Sequence, residues 1–158
     1  MNQIVIRTMT TAEIGAVSTL LCDCYRWLAR REGYSPEQTE FLLVRRGSEA
    51  VVRKESGSQH YLVACSGEVI VGMAAISNNE ITKLYVAPSH HGEGIGRLLY
   101  QESERLIGEV GFPEVVLGTT PGSMRFYEVM GMSTSGRIPY KIELFSDREV
   151  VLMHKRLT

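Results

Sequence analysis

Leu84-Tyr85-Val86-Ala87-Pro88-Ser89-His90-His91-Gly92-Glu93-Gly94-Ile95-Gly96 is the stretch on which the fold turns. Ahead of it, Glu80 to Val86 is rich in strand-forming residues. Behind it, Ile95, Leu98, Leu99, Leu106 and Val110 recur on one side of an amphipathic helix that Gly111 and Pro113 stop. A strand that feeds a glycine-rich loop and then a helix is a natural anion site. Glycines at 92, 94 and 96 let the backbone approach a bulky anion without interference from Cβ atoms. The free amides at the helix start carry partial positive charge. The plain alternative is a tight turn. A P-loop would need Lys-Ser/Thr after its last glycine, and Arg97-Leu98 stands there. A dinucleotide fold would need its third glycine one position later and an acidic residue ending the next strand, whereas Glu114 begins it.

Outward from this loop the punctuation is clear. Residues 3–8 predict a strand. Thr10-Thr11-Ala12-Glu13 fits a capping box, and Ile14, Val17, Leu20, Leu21 and Leu28 carry a helix to about Arg30. Gly33 breaks it, and Ser35-Pro36-Glu37-Gln38 opens a second helix in the region that ends at Gly57. Tyr61–Ala64 and Val69–Ile76 predict a hairpin across residues 65–68, with a turn at Asn78-Asn79 leading into the Glu80 strand. After the long helix come a strand at Glu114–Leu117 and a short helix at about Ser123–Met130. A closing hairpin of Tyr140–Phe145 with Glu149–Leu157 is expected across Ser146-Asp147. The strand-helix-strand unit within an antiparallel setting predicts an α/β (α+β) fold. Its mixed, mostly antiparallel sheet has about seven strands flanked by about four helices, in a single domain spanning residues 1–158.

The composition narrows the function classes. The chain has 158 residues, 44% hydrophobic and 22% charged, with a net charge of −1, so no global field attracts nucleic acid or an anionic membrane. No apolar run approaches the roughly 20 residues of a membrane span. The first residues lack a basic stretch leading into an apolar one, and a cytoplasmic location is the expectation. Cys22, Cys24 and Cys65 are read as reduced small hydrophobes. With His60, His90, His91 and His154 they offer no metal-ligand spacing, so no metal is expected.

The run Ile81-Thr82-Lys83-Leu84-Tyr85-Val86-Ala87-Pro88, followed by Gly92-Glu93-Gly94-Ile95-Gly96-Arg97-Leu98-Leu99, resembles the central motif of the GNAT acetyltransferases. Met124-Arg125-Phe126-Tyr127-Glu128-Val129-Met130-Gly131-Met132 resembles that family's second signature, a Phe-Tyr pair ahead of a glycine. Three positions depart from the pattern. His91 stands where the family usually has Gln or Arg, Thr120 where many members carry Asn, and Met132 where an aromatic is usual.

The resemblance implies acetyl-CoA as cosubstrate and direct transfer of an acetyl group to a primary amine on a small molecule, peptide or protein. The alternative is a non-catalytic acyl-CoA-binding or sensing module on the same fold. Main-chain groups of Leu84 and Val86, with Tyr85 between them, would hold the pantetheine arm, and the segment His91, Gly92, Glu93, Gly94, Ile95, Gly96 and Arg97 the diphosphate. Tyr127 is the implied acid at the departing sulfur, and Glu80 the implied proton acceptor for the amine. Acceptors in the family meet the first helices and the tail, which here means Tyr25, Trp27 and Tyr34, joined by Arg30, Arg31, Phe41 and Tyr140. Any assembly beyond the monomer is expected to be a homodimer.

Overall fold

The computed structural model describes residues 3–157; the outermost positions of the expected 1–158 domain lie outside them. Seven strands among these residues form one sheet: β1 (Ile4–Thr8), β2 (His60–Ser66), β3 (Val69–Ser77), β4 (Glu80–Val86), β5 (Glu114–Thr119), β6 (Ser133–Pro139) and β7 (Glu149–Arg156). Five α-helices accompany them: α1 (Ile14–Glu32), α2 (Pro36–Arg45), α3 (Glu49–Ser56), α4 (Ile95–Val110) and α5 (Met124–Val129). The strand order is β1-β2-β3-β4-β5-β7-β6, antiparallel except for the parallel step from β4 to β5. No helix among the described residues is long and apolar enough to cross a membrane.

Helices cover both faces because the strands alternate. Leu62, Ala64 and Ala74 point to the face that α4 and α5 cover, and Tyr61, Val63, Cys65 and Met73 to the face under α1 and α3. Both anticipated capping boxes are present, at Thr10/Glu13 and at Ser35/Gln38. In the second, Gln38 also reaches the Leu144 carbonyl (2.9 Å) and Asp147 (3.0 Å), tying α2 to the tail.

The expected count of about four helices comes out at five among the described residues, because α2 stops at Arg45 and the Ser48 hydroxyl caps α3 by accepting from the Val51 amide. Two other expectations need correction. The buried stripe of α4 is Ile95, Leu99, Tyr100, Ser103 and Ile107, while Leu98 is 39% exposed and Val110 76%. The strand paired with β7 is Ser133–Pro139 and not Tyr140–Phe145. Residues 140–148 instead fold as a loop around Phe145, which is buried against Tyr34 (5.5 Å), Phe41 (5.7 Å) and Tyr140 (5.3 Å). Sinking a phenylalanine into an aromatic cluster outweighs the ladder the alternating pattern suggested.

Candidate active site

β4 and β5 touch at a single point. Glu80 pairs with Val116, and no later residue of β4 pairs with β5. The joint is fastened by Asn79, whose carbonyl accepts from the Val116 amide (3.0 Å) and whose side chain donates to the Glu114 carbonyl (3.2 Å). Beyond it β4 carries an extra residue in its pairing with β3, Lys83 opposite Ala75 and Ile81 opposite Ile76. Such a bulge bends a strand, and past it β4 no longer pairs with β5. Ala87 donates to Val71, so the next hydrogen-bonded pair along this ladder is Tyr85 with Met73. The main-chain groups of Leu84 and Val86 therefore face the gap.

The gap opens into a cleft of about 370 Å³ between α1, β4, β5 and α5. At one end lies the glycine loop. Gly92 (φ 81°) and Gly94 (φ 82°) hold the left-handed conformation that side chains rarely adopt, and the space in front of each is open. Gly94 caps α4 with no side-chain partner, and the Leu98 amide donates to the Gly94 carbonyl (3.2 Å) as the first bond of the helix. The amides of Ile95, Gly96 and Arg97 are thus unpaired. Arg97 is exposed, with no ion-pair partner among the described residues, and adds positive charge beside them. Gly96 serves a different purpose from its neighbours. A Cβ there would meet Phe126 at 3.2 Å, so it allows α5 to pack on the first turn of α4. Ile95 is buried and contributes only its amide to this end, while the exposed Glu93 pairs with His90 (3.2 Å).

Tyr127 lines the middle of the cleft, 8% exposed, with its ring held edge-on by Phe126 and Tyr100. Burial, helped by the neighbouring Tyr85, raises its phenol well above the ordinary value, so it stays protonated. Cys24 lines the same wall, and its thiol donates to the Val86 carbonyl at 3.3 Å. Burial pushes that thiol up to about 12, which makes it a donor and not a nucleophile.

His91 turns its ring to the main chain. Nε2 lies 2.9 Å from the Val86 oxygen, and Trp27 packs edge-on against the imidazole at 4.7 Å. Arg31 lies over Trp27 and donates to Thr120 and Ser123 (both 3.2 Å), bridging α1 to the segment after β5. Thr120 thus sits at the cleft mouth.

Of the residues expected from sequence, the cleft gathers Tyr127, Leu84, Tyr85, Val86, His91, Gly92, Gly96, Tyr25, Trp27, Tyr34, Arg31 and Tyr140. It does not gather Glu80, which is exposed at the joined end of β4 and β5 and outside the cleft. Arg30 and Phe41 also lie outside it. Sequence reasoning missed Lys83, which is buried and held by Glu55 (2.5 Å) and Tyr61 (3.2 Å). A lysine among the strand residues Ile81, Leu84 and Val86 was the available signal.

A sequence model described as the acetyltransferase (GNAT) family matches residues 16–132. Solved structures share the whole fold. A GCN5-related N-acetyltransferase from Rhodopseudomonas palustris superposes with a TM-score of 0.87 at 23% identity, covering 99% of this chain and 98% of that one. The PaiA N-acetyltransferase from Thermoplasma acidophilum, in complex with coenzyme A, gives 0.77 at 20% identity over 98% and 99%. The ribosomal-protein-S18-alanine N-acetyltransferase from Escherichia coli gives 0.72 at 13% over 99% and 95%. At these identities the likeness is one of fold.

Proposed function

Because the chain belongs to the GNAT acetyltransferase family, we propose that it moves an acetyl group from acetyl-CoA directly to a primary amine. The observation that carries this reading is the open set of unpaired amides at the start of α4, set beside a gap that the main-chain groups of Leu84 and the Val86 amide face, the Val86 carbonyl being held by Cys24 and His91. A diphosphate suits the first, which combines amide donors, a helix dipole and Arg97. An extended chain with two amides suits the second, where it would lie as an added strand.

The remaining residues supply the chemistry of transfer. The Val86 amide faces the gap and would donate to an oxygen on which negative charge develops, an effect of about 3 kcal/mol in well-studied sites. Attack by a neutral amine forms the C–N bond and breaks the C–S bond. Tyr127 is the proton source for the departing sulfur, and the proton lost from nitrogen passes to water, which restores the phenol, since Glu80 lies outside the cleft. Holding amine and thioester together supplies much of the rate. Cys24 keeps its proton, which favours direct transfer over an acyl-enzyme.

The test pairs calorimetry of coenzyme A binding with a free-thiol assay across small-molecule, peptide and protein amines. Binding with thiol release that depends on an amine supports the proposal. Binding without release across the panel would leave an acyl-CoA-binding module, and no binding would move the site elsewhere.

A further inference from the structure

The chain has seven tyrosines, and five of them, Tyr25, Tyr34, Tyr85, Tyr127 and Tyr140, line the one cleft. The other two each donate to a carboxylate, Tyr61 to Glu55 (2.7 Å) and Tyr100 to Glu104 (3.1 Å). None of the five has such a partner among the described residues, and no Asp or Glu is among the residues that line the cleft; the nearest carboxylate charge felt by Tyr34 and Tyr140 is that of Glu32, which Arg31 pairs. The charged groups that do line it, Arg31 and Lys83, are positive, each paired behind the wall with a glutamate, Arg31 with Glu32 (2.8 Å) and Lys83 with Glu55 (2.5 Å). Arg46, just past α2, is exposed and without an ion-pair partner among the described residues, and its charge acts on Tyr25, Tyr85 and Tyr140. Burial pushes the Tyr85 phenol up to about 12 and raises those of Tyr25, Tyr34 and Tyr140, so all four are hydroxyl donors at neutral pH.

We propose that the acceptor is an amine that also carries a carboxylate, seated with its anionic end on the hydroxyls of Tyr25, Tyr34, Tyr85 and Tyr140. The amine end is assigned by the acyl-transfer reading above, on which the proposal rests; the anionic end is assigned by the cleft wall itself. Tyr34 and Tyr140 are fixed from behind by Phe145, and Tyr25 meets Tyr85 edge-on at 5.1 Å. The donors are therefore preorganised, and a carboxylate accepts several of them at once. A polyamine meets the opposite situation. Its second ammonium would lose water against a wall with no carboxylate to replace it, with the Arg46 charge nearby and with Glu32 and Glu55 already engaged by Arg31 and Lys83. The cleft thus discriminates by charge as well as by size.

Acceptors that differ only by one carboxylate isolate the effect: tyrosine against tyramine, lysine against cadaverine, histidine against histamine. Trp27 is the only tryptophan of the chain and lines the cleft, so its fluorescence reports binding without any turnover. With coenzyme A present, at least one carboxylated member is expected to bind about tenfold or more tightly than its partner. Tyr34→Phe with Tyr140→Phe is expected to reduce that preference about tenfold. Arg46→Gln, at an exposed position, should weaken the carboxylated member several-fold, with the loss shrinking as salt rises. Equal binding within every pair, or a preference for the decarboxylated member, overturns the proposal. A carboxylate preference that survives the double variant unchanged also overturns it, because the tyrosine wall would not be its cause. Fluorescence preference without acetyl transfer would instead sink the enzymatic reading and leave the anion site standing.

Discussion

The imidazole of His91 closes on the main chain of the strand before it, Nε2 standing 2.9 Å from the Val86 oxygen. A carbonyl only accepts, so Nε2 carries the proton. In the neutral ring Nδ1 is then a lone pair, which repels a phosphate oxygen rather than binding it. His91→Ala is therefore expected to leave the apparent KM for acetyl-CoA unchanged or to lower it about threefold at pH 8, by freeing an acceptor that faces the gap. A rise beyond threefold in initial-rate assays would assign the ring to the phosphates after all.

The glycines of the loop should separate by mechanism. Gly94→Asp puts a negative charge at the cap of α4 and strains a φ of 82°; calorimetry should show coenzyme A affinity falling at least about tenfold. Gly96→Ala adds no charge but pushes on Phe126. It should displace α5 and lower kcat through Tyr127 as well as weaken binding. Loss of affinity alone in Gly96→Ala, with kcat intact, would contradict the packing role.

Tyr127→Phe removes the proposed acid while keeping the ring between Phe126 and Tyr100. We expect kcat to fall about 100-fold with the coenzyme A dissociation constant unchanged within twofold. Because burial raises this phenol above its ordinary range, the wild type should keep its rate up to about pH 10, the unperturbed value for a phenol. Equal losses in turnover and affinity would make the residue a packing element.

Glu80→Gln is expected to change kcat less than about twofold, since a group outside the cleft has no direct route to the amine. A tenfold loss with an altered pH profile would restore it as a proton acceptor acting at a distance.

Acid stability should involve Glu13. The Arg7 guanidinium, then the Thr10 amide, hold its carboxyl down at about 2 against an ordinary 4.5. A carboxyl depressed in the folded state adds stability that is complete above pH 4.5 and is lost as pH falls toward 2. Denaturant midpoints of Glu13→Gln should trail the wild type at neutral pH and converge with it near pH 2. A constant offset across that range would point to packing instead.

How much was legible in the sequence depended on whether one signal dominated locally. The capping boxes at Thr10 and Ser35 and the Gly-rich loop were readable because each is a short chemical pattern with few alternatives. The segment Ser133–Pro139 was not, because β6 is an exposed edge strand with no apolar alternation to read. Tyr140, Ile142 and Leu144 imitate a strand period that the burial of Phe145 overrules. The motif singled out Tyr127, which lines the cleft, but it could not say at which end of the gap Glu80 would fall. That depends on where β4 and β5 meet, a long-range property that no window of sequence contains.

The sheet is in effect two leaves, β1 to β4 and β5 with β7 and β6, riveted at Asn79 and Val116. The core under α4 spans both leaves, and a chain threading the seam would supply the main-chain rung between them. Occupancy of the seam should therefore stiffen the whole molecule, slowing amide exchange in β4 and β5 far from any phosphate.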